Sequence, residues 1–307
     1  MSVPRAVRVR EVGPRDGFQN EPEVIATDEK VRLVELLART GLTRLEITSF
    51  VRPDRIPQLA DAEEVLERAD IPEAVSVSVL VPNERGLDRA LEHRERIDEV
   101  NVFLSASESH NRRNVNRSVD ESIAGLEKVL PRAREAGLRC EAVISVSFGD
   151  PYEGRIAPER VFAIAQRLVA AGAQEIGFGD TTGMANPVAV REFFPAAREA
   201  LGDDVELTAH FHNTRGAGLA NALAALDAGC ESFEASFGEL GGSPVVAGST
   251  GNIATEDLVS MLHEMGVETG IDLDRLVGAA REVARVLDRP LAGHTLVSGP
   301  IDWHDPV

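Results

Sequence analysis

Eight times in succession the 307-residue chain passes from a short β-favouring run to an amphipathic helical one, and this alternation is what most limits the fold. The β-rich runs are Val7–Glu11, Arg44–Thr48, Val75–Leu80, Val100–Leu104, Cys140–Ser145, Glu175–Phe178, the stretch from Leu207 through His212, and Ser232–Ala235. Helical periodicity predicts partners near Asp28–Arg39, Ile56–Ala69, Glu84–Glu95, Val119–Ala136, Pro158–Ala171, Pro187 to about Leu201, Ala217–Ala228 and Thr255–Met265. Strands that alternate with helices pair in parallel, with the helices covering the sheet. Eight units over about 260 residues favour an α/β fold closed into a (β/α)8 barrel, with an open doubly wound sheet as the alternative. A further amphipathic run, Leu273–Leu287, and a tail without clear period from Pro290 predict an extra C-terminal helical segment. The expected division is therefore a catalytic barrel over residues 1–270 and a C-terminal helix and tail, 271–307, packed on it.

Composition narrows the partners. The net charge of −19 argues against nucleic acid or an anionic membrane surface as a general partner, so a polyanionic ligand must meet a locally basic pocket. Only 4% of residues are aromatic, which suits helices packed on a sheet rather than a platform for stacking bases. Two cysteines, Cys140 and Cys230, are too few for a disulfide framework. With no signal-like start and no apolar run approaching 18 residues, the expectation is a cytoplasmic protein without membrane spans.

In such a barrel the chemistry gathers at the carboxyl ends of the strands. The predicted strand ends carry Glu11, Arg15, Asp16, Gln19 and Asn20; Glu46, Thr48 and Ser49; Asp180 and Thr181; and His210 and His212. A glycine-rich segment, Gly238 to Asn252, follows the eighth strand. Two histidines at i and i+2 in a strand point to one side roughly 6–7 Å apart, so both can converge on one ion, while Phe211 faces packing on the other side. Asp16, His210, His212 and Asn252 together suit a hard or borderline divalent cation: Mg²⁺ or Mn²⁺ ahead of Zn²⁺ or Co²⁺. Arg15 brings a fixed positive charge to the same place, where it can stabilise the oxyanion of a forming enolate.

The motifs GPRDGFQNE at 13–21, LEITSFV at 45–51, NVNRS at 114–118, PYEGRI at 151–156, GDTTG at 179–183, HFHNTRGAGLAN at 210–221 and GSTGNIATEDLV at 248–259 occur in one order. Together they resemble the 3-hydroxy-3-methylglutaryl-CoA lyase family from about residue 7 to 275. The resemblance implies a (β/α)8 barrel and a divalent cation held by Asp16, His210, His212 and Asn252. It implies retro-Claisen cleavage of a 3-hydroxyacyl-CoA to acetyl-CoA and a keto acid. On the same basis Arg15, Glu11, Glu46, Asp180 and Ser243 form the expected catalytic set, and Gln19, Ser49 and Gly242 the expected substrate contacts. An acyl-CoA is the expected small-molecule partner, and a homodimer the expected assembly.

One departure bears on mechanism: the family's Gly-Gly-Cys-Pro loop reads Gly241-Gly242-Ser243-Pro244. A thiol with a reference pKa near 8.5 exchanges protons at neutral pH far more readily than a serine hydroxyl. Asn213 stands where many of these lyases have aspartate, and Phe18 where leucine is usual. Two other readings follow: a condensing synthase acting on a 2-oxo acid, against which the Gly-Gly-Ser-Pro loop argues, and a metal- and acyl-CoA-binding paralogue without turnover. His110, beside Arg112 and Arg113, reads as part of a solvated loop, with contact to CoA phosphates as the alternative. His93, His263, His294 and His304 read as surface or tail residues.

Overall fold

The computed structural model describes residues 3–242, 248 and 250–303. Its strands are β1 (Arg8–Glu11), β2 (Arg44–Ser49), β3 (Ser76–Leu80), β4 (Glu99–Ser105), β5 (Arg139–Ser145), β6 (Gly149–Asp150), β7 (Gly154–Arg155), β8 (Glu175–Asp180), β9 (Glu206–Phe211) and β10 (Ser232–Ala235). Short β6 and β7 form an antiparallel ribbon; the other eight close into a barrel, β1 pairing with both β2 and β10. All eight barrel pairings are parallel, as the alternation predicts.

Both faces of these strands are covered, and the period of two sorts their side chains. On β9, Leu207, Ala209 and Phe211 are buried toward the helices, with the Phe211 ring 6.1 Å from Phe148. Phe162, Phe178, Phe193 and Phe194 continue that outer layer through tilted and edge-on ring contacts. The inner layer of such barrels is ordinarily dominated by branched aliphatic residues, but the lower interior here is ionic. Arg10 on β1 reaches Glu99 (2.7 Å), Glu234 (2.9 Å) and Glu141, while Arg44 on β2 reaches Glu99 (2.9 Å) and Glu175 (2.5 Å). The Thr208 hydroxyl donates to Glu175 at 2.5 Å. Buried charges are tolerated only when paired and hydrogen-bonded, and each of these carboxylates has an arginine partner.

Several local features differ from the expectation. The segment after β1 is a compact pair of helical turns, Gly13–Gly17 and Phe18–Asn20, which folds Arg15 and Asp16 back over the barrel mouth. A helix at Glu108–Val115 follows β4; it is short and strongly polar, so no apolar stripe announces it. Beyond the barrel, Leu273–Val286 leans on helix Thr27–Leu37, with Arg32 and Glu282 paired at 3.0 Å. The tail forms a helix, His294–Ser298, whose first amides are accepted by Asp257 (2.9 Å from His294, 2.6 Å from Thr295). Among the described residues no helix is long and apolar enough to cross a membrane.

Candidate active site

At the carboxyl end of the barrel a cavity of about 150 Å³ opens among the loops, lined by residues that include Arg15, Asp16, Gln19, Asn101, His110, His210, His212, Glu234, Gly241 and Gly242. His210 ends the inward row of β9 and His212 follows it by one strand repeat, so their Nε2 atoms face each other at 3.2 Å. Each Nδ1 is turned toward an acceptor-only oxygen: Glu234 Oε2 at 2.8 Å for His210, and the Thr250 carbonyl at 3.3 Å for His212. Those acceptors favour a proton on each Nδ1, which leaves each Nε2 as the nitrogen that would serve as a ligand when a cation is bound. Burial, then the neighbouring His210, pushes the His212 imidazole down to about 4, which suits a neutral ligand.

Asp16 completes the group; its ligand atom and the two imidazole nitrogens all lie within 4.8 Å of one another. The carboxylate is held by Arg15 (2.7 Å), Gln19 (2.7 Å) and the Asn252 amide (2.8 Å). Asn252 is fully buried, and its Oδ1 has no hydrogen-bond partner among the described residues. A buried carbonyl oxygen without a donor is costly. Two facing imidazole nitrogens and a carboxylate, with this unsatisfied oxygen on the residue that holds the carboxylate, fit a divalent cation.

Arg15 is fixed from behind by Glu46, whose Oε2 accepts at 2.6 Å, while Asn101 donates to the other Glu46 oxygen at 3.0 Å. Burial opposes the Arg15 charge, but Glu46 and Asp16 overcome it and keep the guanidinium protonated. Glu234 is a site residue that the sequence reading missed. It bridges Arg10 (2.9 Å) and His210 (2.8 Å), and against the cost of burial those two partners hold its carboxyl down at about 2. The available signal was register, since Glu234 sits beside His210 in the β10–β9 pairing.

Five expected site residues lie outside the cavity lining: Glu46 and Asn252, which hold Arg15 and Asp16, and Glu11, Asp180 and Ser49. Glu11 accepts from the Gly13 and Phe237 amides (2.7 and 3.2 Å) and from Thr255 (2.7 Å), tying the first loop to the last. Asp180 accepts from Met184 (2.9 Å) and Ala185 (3.0 Å) and so closes its own loop. Strand parity explains both placements: Arg10 and Gly179 take the inward positions, which turns Glu11 and Asp180 outward. Ser49 accepts from the Val51 amide at 3.2 Å. Gln19 and Gly242 do line the cavity, and Ser243 lies outside the described residues. Cys140 and Cys230 are buried, unpaired, and pushed up to about 12 by burial.

Fold and site together define a barrel enzyme with a group of side chains at the mouth that could hold a cation, beside a fixed arginine. The HMGL-like family model matches residues 6–283, and the chain belongs to that family. It is similar to the hydroxymethylglutaryl-CoA lyase YngG of Bacillus subtilis, 44% identical over 96% of this chain and 98% of that one. The hydroxymethylglutaryl-CoA lyase of Pseudomonas mevalonii is 40% identical over 96% of this chain and 98% of its own length. Among solved structures, an HMG-CoA lyase from Acinetobacter baumannii in complex with coenzyme A and 3-methylmalate superimposes with a TM-score of 0.93 at 37% identity, covering 100% of this chain and 99% of that one.

Proposed function

We propose that this chain is a divalent-cation-dependent acyl-CoA lyase that cleaves 3-hydroxy-3-methylglutaryl-CoA to acetyl-CoA and acetoacetate. The observation that carries the reading is the convergence of Asp16 with the two facing histidine nitrogens beside Arg15, with an unpartnered buried oxygen on Asn252, the residue whose amide holds Asp16. Family membership and the coenzyme A in the similar Acinetobacter structure support an acyl-CoA ligand.

Asp16, His210, His212 and Asn252 would hold the cation, and the carboxylate and amide oxygens beside the two imidazoles suit Mg²⁺ or Mn²⁺. When bound, it polarises the substrate's hydroxyl and carbonyl oxygens as a Lewis acid. In the reaction a base takes the proton of the tertiary hydroxyl, whose oxygen becomes the ketone of acetoacetate as the bond to the thioester α-carbon breaks. The electron pair passes to the thioester as an enolate, whose α-carbon then takes a proton. Arg15 sets its charge beside the enolate oxygen, and because Glu46 and Asp16 already hold it, little reorganisation is needed as charge develops. Gln19 and Gly242 contact substrate, Glu11, Ser49 and Asp180 shape the site by bracing its loops, and Ser243 relays a proton where the family's cysteine acts. A homodimer belongs to the same proposal, supported by exposed Val297, Ile301 and Trp303 on the tail.

The test is acetyl-CoA release from a panel of 3-hydroxyacyl-CoA thioesters with Mg²⁺ or Mn²⁺. Release from 3-hydroxy-3-methylglutaryl-CoA is expected, and no acetyl-CoA from any thioester overturns the reading. Ser243→Cys is expected to raise kcat in the same assay; an unchanged kcat would remove this position from proton transfer.

A further inference from the structure

The cavity wall carries a further buried titratable side chain, His110. Helix Glu108–Val115 begins where Ser107 Oγ accepts the His110 amide (3.0 Å) and stops at Asn116, which is left-handed at φ 56°. Asn111 pins it to the barrel by accepting the Ser105 amide (3.0 Å) and donating to Ser122 (2.7 Å). So fixed, the helix carries His110 into the cavity wall opposite any solvated-loop reading: the residue is 4% exposed. Neither ring nitrogen has a hydrogen-bond partner among the described residues. Burial, the largest influence, lowers its basicity, with Asp150 raising and Arg113 lowering it further; the imidazole is therefore neutral and offers one N–H donor and one acceptor.

A buried imidazole with both nitrogens unsatisfied is unfavourable unless something arrives to satisfy it. The same cavity holds the cation-binding group, and the rest of its lining mixes apolar Val51, Ile56, Leu80, Phe103 and Val143 with polar Asn101, Asn114, Ser145 and Thr181. A volume of about 150 Å³ is below the roughly 300–1,000 Å³ of whole-ligand pockets, so it suits a short acyl unit rather than a nucleotide.

We infer that His110 is a substrate-binding residue of the lyase site, hydrogen-bonding the acyl-thioester portion of the ligand. The assignment rests on the acyl-CoA lyase reading. It places a specificity-determining contact on a helix outside the strand-end residues that carry the proposed chemistry.

Two variants separate hydrogen bonding from packing. His110→Phe keeps a ring and removes both polar atoms, whereas His110→Gln keeps a donor and an acceptor in less volume. Binding of 3-hydroxy-3-methylglutaryl-CoA, free coenzyme A and Mn²⁺ alone is measured by calorimetry on wild type and both variants, with kcat and KM alongside. His110→Phe is expected to weaken thioester binding and raise KM by about 10-fold or more, the range for an unmade buried hydrogen bond, with His110→Gln nearer wild type. Mn²⁺ and free coenzyme A should bind all three proteins within about twofold, the level at which no hydrogen bond has been lost. Better binding by the Phe variant than the Gln variant, or equal losses for coenzyme A and its thioester, overturns the assignment. If wild type binds the thioester but does not cleave it, the lyase reading fails while the binding comparison still decides for or against His110. If wild type does not bind the thioester, both are overturned.

Discussion

Glu234 joins two systems that a barrel ordinarily keeps apart, the ionic filling of its lower interior and the chemistry at its mouth. One carboxylate oxygen pairs with Arg10 at 2.9 Å and the other faces His210 Nδ1 at 2.8 Å, so the arginine fixes the carboxylate and the carboxylate fixes the imidazole. Carboxylates that orient ligand histidines typically contribute about 10–100-fold to metal affinity. Glu234→Gln keeps the shape but turns an amide N–H toward either Arg10 or His210, and is expected to weaken Mn²⁺ binding by roughly that factor. Calorimetric titration checks it; a fully folded variant with wild-type Mn²⁺ affinity would sink the orienting role. This contact is cross-strand and leaves no spacing to find along the chain, unlike His210 and His212, whose i, i+2 separation makes them a pair by inspection. Glu11 and Asp180 show the opposite failure: they stand at strand ends, but the period of two turns them from the cavity, and position at an end says nothing without parity.

Loops set the remaining geometry, and backbone conformation decides what they admit. Gly241 adopts φ +93°, and a Cβ there would fall 2.6 Å from Asn252 Nδ2 and 2.8 Å from Asp16 Oδ2. Neither partner can retreat freely, because Asn252 Nδ2 also donates to the Leu240 carbonyl at 2.9 Å. Gly241→Ala is therefore expected to lower Mg²⁺ and Mn²⁺ affinity at least about tenfold and to cost about 1–3 kcal/mol from the backbone conformation. Metal titration and thermal melting read the two effects separately, and unchanged metal affinity would show that the loop moves without disturbing Asp16 and Asn252. At this scale the barrel strands were legible because each is a short apolar-biased run bounded by helix signals. Helix Glu108–Val115 was not, being built by Ser107, Asn111 and left-handed Asn116 rather than by an apolar face. The turns after β1 were likewise hidden, since Gly13-Pro14 and Asn20 read as loop residues wherever they occur.

Across the whole molecule, buried carboxylates divide into two sets with opposite pH dependence. Burial pushes Glu11 up to about 8 and Asp180 and Glu256 up to about 7, and raises Glu46 as well against the pull of Arg15. Within the barrel, Arg10 and Arg44 outweigh burial and hold Glu175 below the usual carboxylate range, while His210 and Arg10 hold Glu234 at about 2. The lowered set contributes stability present above the unfolded carboxylate pKa and lost as pH falls through the folded values. The raised set works the other way: its contribution is complete below about 4.5 and is lost as pH rises through 7 and 8, because the unfolded chain releases those protons earlier. Stability is thus expected to decline between pH 5 and pH 8. Glu11→Gln isolates one share of that decline, because the amide is neutral at every pH and its oxygen can still accept from the Gly13 and Phe237 amides. Its melting temperature should match wild type near pH 5 and exceed it by roughly 1–2 °C at pH 8, the shift that about 1 kcal/mol gives in a chain of this length. Melting curves at pH 5, 6.5 and 8 decide it: a constant offset between the two proteins would mean that Glu11 ionises in the fold as it does in the open chain, and that its contacts with Gly13, Phe237 and Thr255 are made by the carboxylate.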